Sequence, residues 1–184
     1  VDRQSAYTSV VTGLPIPNPT PPPETITGVT VWAYMDIPAL IDSNDGLIYY
    51  YAGTGVTKAW HGYVMQRAEL EDDFYDVGAS AFRQGIGTIT EQVLNASEHY
   101  VDTVNTITVQ MYNDENDFES ITETSFLNEN NAIALCREDG SAEILQYKNA
   151  EYLGDNLWRL DYLLRSRLNS KTSSHSIGAQ LVIL

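Results

Sequence analysis

Alternation of apolar and polar positions, with no sustained helical period, organises this chain, and it is clearest between residues 142 and 168. Two β-like runs, 142–148 and 157–162, flank Gly154, Asp155 and Asn156. These three residue types tolerate the positive φ that a hairpin loop requires. In the second run Trp158, Leu160 and Tyr162 are predicted to share one face and Arg159 and Asp161 the other. That period of two marks a strand with one buried side. Leu163 and Leu164 follow, then a basic turn at Arg165, Ser166 and Arg167. A polar loop through His175 and Gly178 leads into a closing strand at 179–184.

The same alternation recurs upstream. At 105–111, Ile107, Val109 and Met111 interleave with Thr106, Thr108 and Gln110. Residues 28–35 carry bulk on both sides, with Val29, Val31, Ala33 and Met35 on one face and Thr30, Trp32 and Tyr34 on the other. Such a run predicts a central strand, or one covered on both faces. Further strands are expected at 47–52, 60–68 and 88–94. Pro38 stops pairing at its own nitrogen, and residues 42–46 have turn chemistry. Residues 113–131 form a polar, acidic excursion with a short helix expected at 121–127. About ten strands at short spacing predict an all-β fold, an antiparallel sandwich or distorted barrel with one or two short helices.

Six of the seven prolines fall between positions 15 and 23. A polyproline stretch advances about 3.1 Å per residue and acts as a semi-rigid spacer. The expected organisation is therefore the end of a preceding module at 1–14, including a short strand at 4–12, a linker at 15–24, and the all-β domain at 25–184. The chain opens on Val1 with no charged-then-apolar leader, and is read as a piece of a longer polypeptide.

The spelling adds to the pattern. Glu143-Ile144-Leu145-Gln146-Tyr147, Ala150-Glu151, Leu153-Gly154, Trp158-Arg159-Leu160, Leu163-Leu164-Arg165, His175, Gly178 and Leu181-Val182 resemble the C-terminal region of phage tail-hub proteins. These are the baseplate or tail-tip proteins of siphophages and gene transfer agents. Asp36, Pro38 and Leu40, then Asp45-Gly46, Tyr50-Tyr51-Ala52-Gly53, Trp60 and Gly62 are similar to the start of the same region. The likeness runs from about 29 to 184 and is patchy between 69 and 103. Where that family commonly has Gly after the Arg, this chain has Ser166. Either the backbone there is not left-handed, or Ser166 bears some strain. The resemblance implies a virion component, often trimeric around a symmetry axis, that packs against other phage tail proteins and contributes to host attachment. It also implies a structural hydrogen bond for the loop histidine, His175.

Charge narrows the partners. With 25 acidic and 10 basic residues the formal net charge is −15. Such a field repels phosphate backbones and anionic membranes, so no nucleic-acid binding is expected. No apolar run approaches the ~20 residues of a membrane span. Cys136, the single cysteine, rules out an internal disulfide and reads as a small buried hydrophobe.

Candidate chemistry is sparse. Acidic clusters at 69–76 and 114–119 do not by themselves meet the two-carboxylate geometry of a glycosidase. Residues 113–119 offer oxygen ligands suited to calcium, but the run fails the EF-hand template at its sixth and twelfth positions. His61, His99 and His175 lack metal-ligand spacing. No catalytic, cofactor-binding or metal-ligating residue is assigned, and no enzyme is expected. Tyr49, Tyr51, Trp60 and Tyr63 lie on neighbouring predicted strands. They are candidates for core packing, for a subunit interface, or for stacking on a host glycan. The leading expectation is a structural domain of a phage tail tip or baseplate hub. A carbohydrate-binding module and a cell-wall glycoside hydrolase are the alternatives.

Overall fold

The computed structural model describes residues 28–40, 49–70 and 73–184. The strand expected at 4–12, the linker at 15–24 and the turn at 42–46 lie outside the described residues. Strand β1 (Thr30–Met35) pairs with β2 (Tyr50–Gly55), and β3 (Tyr63–Ala68) with β4 (Phe74–Ser80), as two separate two-stranded sheets. Then come β5 (Ile86–Ile89), β6 (Ile107–Met111), helix α1 (Glu123–Leu127), β7 (Ala132–Cys136), β8 (Ala142–Gly154), β9 (Leu157–Leu164) and β10 (Gln180–Ile183). These last six strands close into a barrel in the order β10-β5-β6-β9-β8-β7, every neighbouring pair antiparallel. The all-β expectation holds, and of its two forms the barrel is the one adopted.

Alternation explains how the barrel fills. Ile107, Val109 and Met111 of β6 point inward with Ile133, Leu135, Leu145, Leu160, Leu163 and Leu181, all essentially without solvent contact. Each fully buried side chain of this size contributes roughly 1.5–3 kcal/mol relative to exposure. Ala134, Cys136, Ala142, Ile144, Val182 and Ile86 take the opposite phase. They form a second core with Ala33, Met35 and Ala52 of the β1–β2 sheet and with Ile37 just past β1. The barrel wall is therefore covered on both faces where β1–β2 lies on it, and β7 reads as a continuous apolar run for that reason. Burial pushes the Cys136 thiol up to about 11, in keeping with a packing role.

The structure corrects several expectations. β1 is not covered on both sides: Ala33 and Met35 are buried, but Trp32 is 65% exposed. Residues 74–76 of the acidic cluster lie in β4, a strand not foreseen because its residues are nearly all exposed and so give no alternating signal. β5 begins at Ile86, and Val93 makes only an isolated bridge to His175. Trp60 precedes β3 and does not belong to it. Within β9, Tyr162 has φ 58°. This left-handed residue breaks the alternation, so Leu163 succeeds Leu160 on the inner face. Tyr162 packs instead on Phe126 of α1, ring centroids 5.7 Å apart.

Ser166 settles the question raised by its identity, with φ 58° and ψ 41°. A left-handed conformation costs a non-glycine residue roughly 1–2 kcal/mol. Its hydroxyl recovers part of this by donating to the Ser170 carbonyl. Ser166→Gly is expected to leave stability within about 0.5 kcal/mol, relief of strain being offset by the lost bond and a freer unfolded chain. Ser166→Val, β-branched at positive φ, is expected to lose about 2 kcal/mol. Urea denaturation of the two variants separates these outcomes.

Candidate functional site

Four charged or polar side chains converge at one mouth of the barrel. On β8, Glu143 shares the inward phase of Leu145 and Tyr147 and is fully buried. Arg165, just past β9, continues the phase of Leu163 and is 1% exposed. The loop before β10 brings His175, and the loop between β5 and β6 brings Asp102, both buried. Two isolated bridges, Val93 with His175 and Asp102 with Leu163, hold those loops in place.

The geometry is a closed knot of charge. Arg165 grips Glu143 with two parallel bonds, Nε to Oε1 at 2.6 Å and Nη2 to Oε2 at 2.8 Å. Paired bonds of this kind are the strong form of arginine–carboxylate recognition. Its Nη1 donates to the Leu94 carbonyl at 3.1 Å and faces Asp102 Oδ2 at 3.4 Å, while Nη2 also reaches the Ser173 carbonyl at 3.0 Å. His175 Nε2 lies 2.8 Å from Glu143 Oε2. Asp102 accepts from the backbone N–H groups of Val104 and Asn105 and from the Asn105 amide. One guanidinium thus ties two loops to the barrel.

Ser173, His175 and Glu143 invite comparison with a hydrolytic triad, and the distances reject it. Ser173 Oγ, at 3.4 Å, and Glu143 Oε2 both approach the same nitrogen, Nε2. A relay needs the two ring nitrogens to serve different partners. Ser173 Oγ also accepts from Arg137 Nε at 2.9 Å. This serine is a spacer between two cations' hydrogen-bond systems, and the cluster is built to hold.

Desolvation opposes the charge on Glu143, but the bonds from His175 and Arg165 outweigh it and keep its carboxyl below the ordinary 4.5. For Asp102 desolvation is likewise overcome, here by the Asn105 and Val104 donors and the Arg165 charge, and its carboxyl lies below the ordinary 3.8. A carboxylate whose folded pKa is depressed contributes stability above its unfolded pKa and loses it as pH falls through the folded one. Stability should therefore be flat above about pH 5 and decline below about 4. Glu143→Gln should lower stability at pH 7 and flatten that acid decline, measured as urea midpoints between pH 3 and 7. An unchanged acid slope would exclude Glu143 as its source.

The four aromatic candidates are separated by the structure. Trp60 is buried, its indole N–H donating to Thr30 Oγ1 at 2.8 Å. Tyr51 and Tyr63 are half-buried and meet edge to face at 6.1 Å, and Tyr63 lies 6.1 Å from Trp60. Glycines make room for these rings. A Cβ on Gly53 would strike the Tyr63 ring, and one on Gly55 would fall 2.1 Å from Trp60 Cγ. Only Tyr49 is openly exposed, beside Tyr34 with ring centroids 5.4 Å apart. Trp60, Tyr63 and Tyr51 join the two small sheets, and the free aromatic surface passes to Trp32, Tyr34 and Tyr49.

In the 113–119 run the oxygen groups meet protein donors. Asn113 is buried, its amide donating to Thr54 Oγ1 at 2.7 Å and its Oδ1 accepting from Glu115 N and Asn116 Nδ2. Asp114 pairs with Lys58 at 2.9 Å, and that bond holds its carboxyl low. Glu115 lies 3.4 Å from Arg83. Among the described residues no group of three or more His, Cys, Asp or Glu side chains is placed to hold a metal ion. His61 and His99 are exposed and far apart in the chain.

Sequence reasoning missed the Arg165–Glu143–Asp102 knot. The period of two from Trp158 puts Arg165 with Arg159 and Asp161 on the outer face, so only Glu143 gave a signal, on an inward phase shared with Leu145 and Tyr147. A charge in that phase needs a partner. No curated protein matches the chain. Residues 84–182, more than half of the 184, match a family model described as Rcc01698-like, C-terminal, a stretch that includes Asp102, Glu143, Arg165 and His175 and all but the last residue of the barrel strands. The chain belongs to this Rcc01698-like C-terminal family.

Proposed function

We propose that this chain is a non-catalytic structural domain of a phage tail tip or baseplate hub, packing against other tail proteins and against copies of itself in a trimer. The observation that carries this reading is the β3–β4 ribbon. A lone two-stranded hairpin is marginal in water. Yet Val64, Leu70, Phe74, Tyr75, Val77 and Phe82 on or beside this one are all exposed, several by more than half. Surfaces of this kind mark protein–protein contact. The ribbon is joined through Tyr51, Trp60 and Tyr63 to the β1–β2 sheet, which in turn packs on the barrel.

A cell-wall hydrolase would need one carboxyl held protonated beside a second that is ionised. Glu143 and Asp102, the buried carboxylates among the described residues, are both held ionised by Arg165 and its neighbours. No described helix is long and apolar enough to cross a membrane. Immunogold labelling of the particles that carry this chain tests the proposal. Label at the distal end of the tail is expected, and its absence from purified particles would overturn the reading. Phe74→Asp is expected to abolish incorporation while leaving the isolated domain folded, since Phe74 is 61% exposed.

A further inference from the structure

Trp32, Tyr34 and Tyr49 lie on the face of the β1–β2 sheet turned away from the barrel. Trp32 and Tyr34 alternate with buried Ala33 and Met35, and Tyr34 pairs across the sheet with Tyr51, two residues from Tyr49. Residues i and i+2 of one strand stand about 7 Å apart, and the Tyr34 and Tyr49 rings are 5.4 Å apart at 32°. Trp32 is 65% and Tyr49 54% exposed. Gly53, directly opposite Trp32, gives its place on this face to the Tyr63 ring, and Trp32 stays open beside it. The result is a strip of open ring faces on a strand pair fixed to a second hydrophobic core.

The strip ends at a groove of about 500 Å³ whose lining includes Asp36, Arg137, Asp139 and Ser141. Gly140, in the same turn, lies against the Tyr34 ring. Flat apolar faces followed at once by carboxylate, guanidinium and hydroxyl groups suit a ligand with apolar C–H faces and a rim of hydroxyls. A pyranose chain is such a ligand. The net charge of −15 disfavours sulfated, phosphorylated or uronic-acid polymers.

We propose that the Trp32–Tyr34–Tyr49 face binds a neutral oligosaccharide of hexose or N-acetylhexosamine units, stacked on the rings with its hydroxyls toward Asp36 and the adjoining groove. This adds a host-surface contact to the structural role proposed above and rests on that role only for where the sugar is met. The strip precedes residue 84, outside the span that the family model covers.

The test is an array of neutral and anionic oligosaccharides probed with the purified chain, followed by calorimetric titration with the neutral oligomer that binds best. Binding to neutral oligomers in preference to anionic ones is expected, with tryptophan emission shifting on addition because Trp32 is the openly exposed indole. Trp32→Ala should weaken binding on the order of tenfold or more, as for a central stacked anchor, and remove the emission change. Tyr100→Ala, on a distant loop and 75% exposed, should leave both intact. Circular dichroism checks that each variant is folded. No binding to any neutral oligomer, or full binding by folded Trp32→Ala, would overturn the proposal. Loss of self-association in Trp32→Ala without any glycan binding would instead assign the face to contact between copies. Failure here leaves the immunogold result untouched, so the two readings fall separately.

Discussion

Arg165→Met is expected to be among the most damaging single changes in this protein, at about 3–5 kcal/mol. For a domain of this size that is a fall of about 10 °C or more in Tm. The loss does not come from the ion pair being strong in itself. Taking two charges out of water costs nearly what their attraction returns. It comes from what is left behind: Glu143 fully buried without its paired bonds, Asp102 without its facing charge, and the carbonyls of Leu94 and Ser173 without a donor. The double variant Glu143→Leu with Arg165→Met should therefore recover more than half of the single-variant loss. A double-mutant cycle by urea denaturation gives the coupling. Additive losses in the two single variants would mean that the two side chains act independently, contrary to the geometry described.

Phe118→Ala is expected to cost a similar amount, about 3–5 kcal/mol. Phe118 is 3% exposed and comes from the long connection between β6 and β7, not from a barrel strand. It meets Tyr147 and Trp158 edge to face, each at 5.6 Å. Truncation leaves a cavity lined by two aromatic rings attached to strands, which cannot close on it. Phe118→Leu should cost much less, about 1–1.5 kcal/mol. Near-UV circular dichroism should weaken in the alanine variant, because Trp158 loses a fixed neighbour. Equal stability of the two variants would show that the connection does not seal the barrel.

The all-β architecture was legible because alternation survives wherever one strand face is buried, as in Ile107, Val109 and Met111. It failed where neither face is. β4 has almost every residue exposed, so its sequence of Phe74, Tyr75, Asp76 and Val77 carries no period. At Tyr162 it failed for a local reason, a left-handed residue inside a strand that a period of two cannot anticipate. The aromatic candidates were chosen by strand neighbourhood, and glycines decided their fate. Gly53 and Gly55 give Tyr63 and Trp60 places to lie, which moves exposure to Trp32 and Tyr34. Of the charge knot only the inward phase of Glu143 could be noticed, because the left-handed Tyr162 is what turns Arg165 inward. Its partners His175 and Asp102 arrive from loops whose course the pattern does not encode.

The position of β10 between β5 and β7 sets a timetable for synthesis. Five of the six staves can emerge from the ribosome and pair in a row, but the ring stays open, with two raw edges, until residues 180–183 appear. Nascent chains would then depend on a chaperone or on speed, and stalling just short of that point would yield sticky, unclosed intermediates.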